Sequence, residues 1–296
     1  QPKHQALCRN ILWWKTRLPG VTILMAKFDV DSAYKIVWLC VDDVGLFATE
    51  LPGEDLDLVM SVLCLYLVLT FGWNGSPGEY MAFAWFEKLL YQSYKPALPT
   101  WHDSVAFHCK TLMDDKCVVE PDVGVRVPLA NHTAEKCIRR VFGPNSINAV
   151  KELEEGTFES VKINWGIIYD TIMDTLSYPE VKIQKIKFIL KTAEFHDGRR
   201  QVALKNIQRL AGNIQPASVA CAQLQPELGA TYALMGADHG GSTNVQPKGS
   251  EAEVLALWAE FEESLEAMIV LTETPKAWVA HFTSGLKNVL SARERL

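Results

Sequence analysis

Two aspartates stand side by side in TLMDDKCVVE, residues 111 to 120, between two short stretches of strand character. On one side Val105, Phe107 and Cys109 alternate with Ala106, His108 and Lys110; on the other, Cys117, Val118 and Val119 follow the acids. The spacing predicts strand, turn, strand, with Asp114 and Asp115 at the tip. Adjacent carboxylates repel, so they are tolerated when fully solvated or when a divalent cation neutralises them. A solvated turn needs nothing else from the chain, whereas a cation needs further ligands from elsewhere.

Other acids end or interrupt apolar stretches. VTILMAKFDV runs into Asp29 as a buried strand, and YKIVWLCVDDVGLFATEL reads as a strand pair around Asp42 and Asp43. The apolar run from Leu58 to Phe71 is shorter than the ~20 residues that span a bilayer, which predicts core. Ser76 to Tyr94 predicts a helix with Ser76 as N-cap, Pro77 in its first turn, Glu79 completing a capping box, and an aromatic face of Tyr80, Phe83 and Phe86.

The opening residues, 1 to 20, read as irregular. SVKINWGIIYDTIMDTLSYPEVKIQKIKFIL predicts a hairpin and a basic helix, and LKNIQRLAGNIQPASVA a second helix ending near Pro216. Residues 236 to 250 predict a flexible Gly/Ser/Pro-rich linker without core residues. Beyond it Val254, Leu257, Trp258, Phe261, Leu265 and Met268 share one face of an acidic helix, with a further helix near Lys276 to Leu290. The pattern predicts an α+β fold followed by a small helical appendix.

Composition narrows the partners. A formal charge of -6 excludes a uniformly basic nucleic-acid coat but not a local one. Lys182, Lys185, Lys187, Lys191, Arg199, Arg200, Lys205 and Arg209 face only Glu194 and Asp197 along one stretch, either a solvated helix face or a phosphate-tracking surface. Seven scattered cysteines without C-x-x-C spacing predict reduced thiols in an intracellular protein, cytoplasmic or nuclear, and no signal-peptide pattern opens the chain.

Three motifs follow one another: Asp29-Val30-Asp31-Ser32-Ala33-Tyr34, then Leu69-Thr70-Phe71-Gly72-Trp73-Asn74-Gly75-Ser76-Pro77, then Leu112-Met113-Asp114-Asp115. Their order resembles the palm of reverse transcriptases from LTR-type and related eukaryotic retrotransposons, over roughly residues 21 to 235. Leu112 departs from the family's usual aromatic residue. The resemblance implies a right-hand palm, an antiparallel sheet with helices on one face, over 21–165, and a primer-grip hairpin and helical thumb over 166–235. Beyond that span, composition makes 236–250 a flexible linker and 251–296 a helical, connection-like segment, and with residues 1–20 as a remnant before the palm the resemblance implies fingers that are largely absent.

By the same resemblance the activity is RNA-directed DNA polymerisation, with Asp29, Asp114 and Asp115 catalytic and Asp29, Val30, Asp114 and Asp115 holding two Mg²⁺ ions, or Mn²⁺ in their place. Ala33, Tyr34, Phe71, Gly72, Trp73, Gly75, Ser76, Pro77 and Met113 would meet nucleotide or template, with Tyr34 excluding a 2′-hydroxyl; Trp165 and Gly166 would grip the primer. Partners would be a primed RNA or DNA template, deoxynucleoside triphosphates, and other parts of a polyprotein such as ribonuclease H, integrase or recombinase. No membrane partner is expected. Two alternatives remain: an inactive polymerase-fold relic that at most binds nucleic acid, and a haloacid-dehalogenase-type phosphatase. The latter is carried by Asp29-Val30-Asp31, but Ala33 stands where threonine is required.

Overall fold

The structure, a computed structural model, describes residues 4–56, 59–98, 100–196, 200, 202–239 and 242–283. The fold is α+β with small antiparallel sheets, and it divides into two compact units. The first comprises residues 10–160; the second comprises residues 4–9 and the chain from Val161 onward. Arg199 of the basic run, Leu58 of the apolar run, and the end of the helix expected over Lys276 to Leu290 lie outside the described residues.

The opening stretch is a helix, α1 (His4–Arg17), rather than irregular chain. Leu7, Ile11 and Trp14 recur at helical spacing and are buried. In the first unit, β1 (Ile23–Asp29) ends at the acid as expected. The strand pair around Asp42 and Asp43 does not form. Both acids sit in a 3-10 turn, Val41–Leu46, and only a short ribbon follows, β2 (Ala48–Leu51) with β3 (Val62–Leu65). Asp-Asp-Val-Gly favours a turn because Asp and Gly are poor strand residues. The run expected to be core is largely exposed: Leu63, Leu65 and Leu67 face water, and Leu69 is the buried member.

Helix α2 (Ser76–Gln92) forms, with Pro77 in its first turn, but its capping box does not. Gly75 occupies the cap position, and the Ser76 hydroxyl instead donates to the Thr70 carbonyl at 2.6 Å. Its buried face is Ser76, Tyr80, Ala84, Glu87 and Tyr91, while Phe83 and Phe86 are exposed. The acidic hairpin consists of β4 (Cys109–Leu112) and β5 (Asp115–Pro121), so regular pairing begins four residues later than Val105. A 3-10 turn at His102–Ser104 occupies the preceding chain. Strand β5 is central, flanked by β1 and β4 in an antiparallel sheet. Helices α3 (Arg126–Phe142) and α4 (Ala149–Glu155) complete the unit.

Alternation decides which face does what. Ala26, Phe28 and Val118 point into a core with Tyr91 of α2 and Ala130, Ala134, Cys137 and Ile138 of α3. Two buried ion pairs lie on this helix-packed face: Lys116 Nζ with Glu87 Oε1, and Arg126 Nε with Glu120 Oε2, each at 2.6 Å. Arg126 Nη1 also donates to the carbonyls of His102 and Val105. The intervening residues, Lys27, Asp29 and Asp115, are consequently on the opposite face.

The second unit holds a four-stranded antiparallel sheet in the order β6 (Val161–Asn164), β7 (Ile167–Asp170), β8 (Thr175–Ser177) and β9 (Val279–His281). Residues 276–281 are thus a 3-10 turn, Pro275–Trp278, and a strand, not a helix; Trp278 is buried and β9 extends the sheet. Helices α5 (Glu180–Leu190), α6 (Leu204–Ala217), α7 (Leu224–Gly236) and α8 (Glu251–Thr272) belong to the same unit. The stretch expected to be a coreless linker is pinned. Val245 is fully buried and its N–H donates to the Val202 carbonyl at 2.8 Å.

Arg126→Met is expected to destabilise the protein at pH 9 by about 3 to 5 kcal/mol, because it strands the Glu120 carboxylate. Burial, opposed by Arg126, raises Glu120 to about 7, and loss of Arg126 raises it further. Below the parent's value the carboxyl is protonated in both folded proteins, so the charge part of the deficit appears as pH rises through 7 and is largest at pH 9. Urea unfolding at pH 6 and pH 9 measures the effect; an equal deficit at both would contradict the assignment.

Candidate active site

The three acids meet at one end of the first unit's sheet. Asp29 closes β1, Asp115 opens β5, and the two are direct cross-strand partners. The connection from Leu112 to Asp115 is a two-residue loop of Met113 and Asp114, in which Met113 takes φ 54°. A positive φ at the first loop residue suits the twist of a tight hairpin but strains a residue with a side chain. The Val30 N–H donates to the Asp114 carbonyl at 3.3 Å, tying the loop to the end of β1.

Charge effects report the same clustering. Burial raises the Asp115 carboxyl; Lys27 opposes the rise, and the charges of Asp114 and Asp29 add to it. Burial also raises the phenol of Tyr80, with Asp114 and Asp29 contributing, and that of Tyr34, with Asp114 contributing. Asp31 and Ser32 are exposed beside the site, and Ser32 and Ala33 have φ 59° and 20°.

Two lysines already neutralise much of this charge. Lys151 Nζ lies 2.8 Å from Asp29 Oδ1. Lys27 Nζ lies 3.1 Å from Asp115 Oδ1 and 2.8 Å from Glu155 Oε2. A pair of divalent ions needs several carboxylate oxygens free to converge. Here an oxygen of Asp29 and one of Asp115 are held by ammonium groups, and among the described residues no three His, Cys, Asp or Glu side chains form a metal-holding group. In this arrangement the donors do not fit the metal pair expected from Asp29, Val30, Asp114 and Asp115. Lys27 and Lys151 are the site residues that the motifs did not reveal; a lysine two positions before Asp29 was the one available signal.

Aromatic groups border the acids. Tyr34 meets Phe71 and Tyr80 edge-on, with ring centres 4.9 Å and 5.6 Å apart, and Trp73 meets Phe47 at 4.9 Å. A cavity of about 620 Å³ is lined by Lys35, Phe47, Tyr66, Thr70, Phe71 and Trp73. Gly72 has φ 96°, and a Cβ on Gly75 would fall 2.3 Å from the Trp73 ring, so this loop needs both glycines. Ser76 and Pro77 begin α2 immediately after it.

In the second unit, Trp165 and Gly166 form the two-residue loop between β6 and β7, with φ 49° and 80°. Both values are positive, as in the tight loops that suit strand twist. Of the basic run, Lys182, Lys185, Lys191, Lys205 and Arg209 are exposed. Lys187 and Arg200 pair with Glu273 and Glu262.

Asp115→Asn is expected to raise thermal stability at neutral pH, since the folded state disfavours this charge despite Lys27, and Lys27 keeps Glu155. The gain should vanish below about pH 3.9, where the unfolded carboxyl is also protonated. A lower melting temperature at pH 7 would refute this. Ser76→Ala should cost about 1 kcal/mol and speed hydrogen exchange in residues 70–75, whereas unchanged exchange would show that the Thr70 contact does not hold the loop. No protein-family model matches the chain, and no curated protein matches it.

Proposed function

We propose that the chain carries the palm and thumb of a reverse transcriptase of the LTR-type or related retrotransposon class. The reaction is RNA-directed addition of deoxynucleotides to a primer 3′-hydroxyl. The observation that carries this reading is the cross-strand pairing of Asp29 with Asp115 beside Asp114, on the sheet face opposite α2 and α3. Carboxylates in that position suit attack of a hydroxyl on an α-phosphorus, where negative charge must be managed at both the entering and leaving oxygens.

The chain's own groups have distinct tasks in this reading. Tyr34, braced by Phe71 and Tyr80, packs under the sugar and leaves no space for a 2′-hydroxyl. The exposed rings of Phe71 and Trp73 offer stacking surfaces to bases, and the glycines around them permit close approach of backbone. Trp165 and Gly166 present a tight loop to the primer, and the exposed Lys182, Lys185, Lys205 and Arg209 of α5 and α6 track phosphates. Mg²⁺ or Mn²⁺ would supply charge neutralisation at the triphosphate, for which the lysine-paired donors are not arranged.

That same pairing favours a second reading, a polymerase-fold protein that binds nucleic acid without turnover. Primer extension on an RNA template with deoxynucleotides and Mg²⁺ or Mn²⁺ separates the two. Extension by the parent that falls on the order of 100-fold in Asp114→Asn supports the enzyme. Binding of primed template without extension by the folded parent supports the second reading, and equal extension by parent and variant overturns the site.

A further inference from the structure

We propose that the outer face of α3 is a nucleic-acid contact separate from the acids: it holds the sugar-phosphate backbone of a duplex without regard to base sequence. The inference goes beyond the polymerase reading and holds equally for a protein that binds nucleic acid without turnover.

Charge is the first support. Helix α3 turns Ala130, Thr133, Ala134, Cys137 and Ile138 inward, which leaves His132, Lys136, Arg139 and Arg140 exposed on its outer side. These four line an open groove of about 610 Å³ together with Glu135 and Pro144. The chain as a whole has a formal charge of -6, yet this groove sets two arginines and a lysine against one acid. None of the three has an ion-pair partner among the described residues. Glu135 instead accepts from the Asn131 amide at 2.6 Å, one turn back along the helix. The positive charge is therefore available to an outside anion.

The helix dipole accounts for part of the row only. Arg139 and Arg140 lie in the last turn of α3, where cations complement the helix end. Lys136 and His132 lie earlier, beyond the reach of that effect, and continue the same row.

Shape selects the partner. From His132 to Arg140 the helix rises about 12 Å, a length that suits a linear polyanion, whereas one compact phosphate calls for convergent, buried donors. Arg139 Nη1 donates to the Pro144 carbonyl at 2.6 Å, so its fork is aimed before any ligand arrives and its other N–H groups face phosphate oxygens unspent. Binding to an anionic membrane draws on large apolar side chains beside the cations, and none lines this groove. No Phe, Tyr or Trp ring lines it either, so unpaired bases have nothing to stack on, and a duplex is the form that fits.

The inner side of α3 packs on the sheet face opposite Asp29 and Asp115. The sheet and the helix's own diameter of about 10 Å thus separate the groove from the acids, and the duplex held here is a different segment from any held there.

The test uses the full chain and a fluorescein-labelled DNA duplex, with binding read by fluorescence anisotropy over a salt series. Lys136→Gln combined with Arg140→Gln removes two cations that make no ion pair among the described residues; Lys248→Gln combined with Lys276→Gln is the charge-matched control. The α3 variant should bind about tenfold more weakly at low salt, and its log affinity should fall less steeply with log salt, by about 2 in slope. The control should keep the parent's values, and duplexes of unrelated sequence should bind the parent alike. Acylation of Lys136 by a water-soluble acetylating ester, followed by mass spectrometry, should slow severalfold with duplex present while Lys276 stays constant. Equal binding by parent and α3 variant, an equal loss in the control, or Lys136 labelling indifferent to duplex overturns the proposal. So does preference of the parent for phosphatidylserine vesicles over the duplex. Duplex protection of Lys136 without primer extension counts against the polymerase reading alone.

Discussion

Arg126 enters a fully buried position with Nε on Glu120 and its terminal nitrogens on the carbonyls of His102, Val105 and Ala106. Trp14 and Phe107 lie against the same guanidinium. A charge so enclosed is tolerable because most of its donors are used, and its partners lie on β5 and in the chain before β4. The head of α3, the far end of β5 and the chain before β4 are thereby held together. Lys116 does the same between β5 and α2. Because both pairs occupy the helix-facing side of β5, strand alternation sends Asp115 to the other side, where Asp29 awaits it.

The sheet thus carries two kinds of neutralised charge. On the packed side, the pairs are closed, dehydrated and without water to replace either partner. On the other side, acids outnumber bases and one of the bases is half in solvent. The first arrangement is closed to solvent; the second leaves a charged group in contact with water. Aromatic rings stand beside this second group together with exposed Asp31, so a bound phosphate or sugar would meet flat apolar surfaces next to concentrated charge.

Much of the local structure could be read from residues near one another. The hairpin around Asp114, the strand into Asp29 and the apolar face of α8 follow from period and spacing. Ser250 and Glu253 form the capping box that their spacing implies, yet Ser76 and Glu79, with equivalent spacing, do not. The difference lies outside the motif: the Ser76 hydroxyl has a carbonyl six residues back to satisfy. Helix α1 is legible in Leu7, Ile11 and Trp14, but the polar residues between them dilute the pattern. The pairing of Lys151 with Asp29 spans 122 positions, a distance over which no local spacing rule operates. Val245 and β9 are similar cases, since their burial depends on partners far along the chain.

The ribbon of β2 and β3 has a different kind of consequence. Among the described residues its two strands form a sheet of two, so both are edge strands, and Leu51, Val62, Leu63 and Leu65 are exposed. Such a ribbon is a template for strand addition between molecules. An encounter between two copies at this ribbon would engage main-chain groups and apolar side chains without disturbing the buried ion pairs. A lysine or glutamate at Leu63 would place a charge in the middle of the outward row, the means by which exposed strands ordinarily avoid self-assembly.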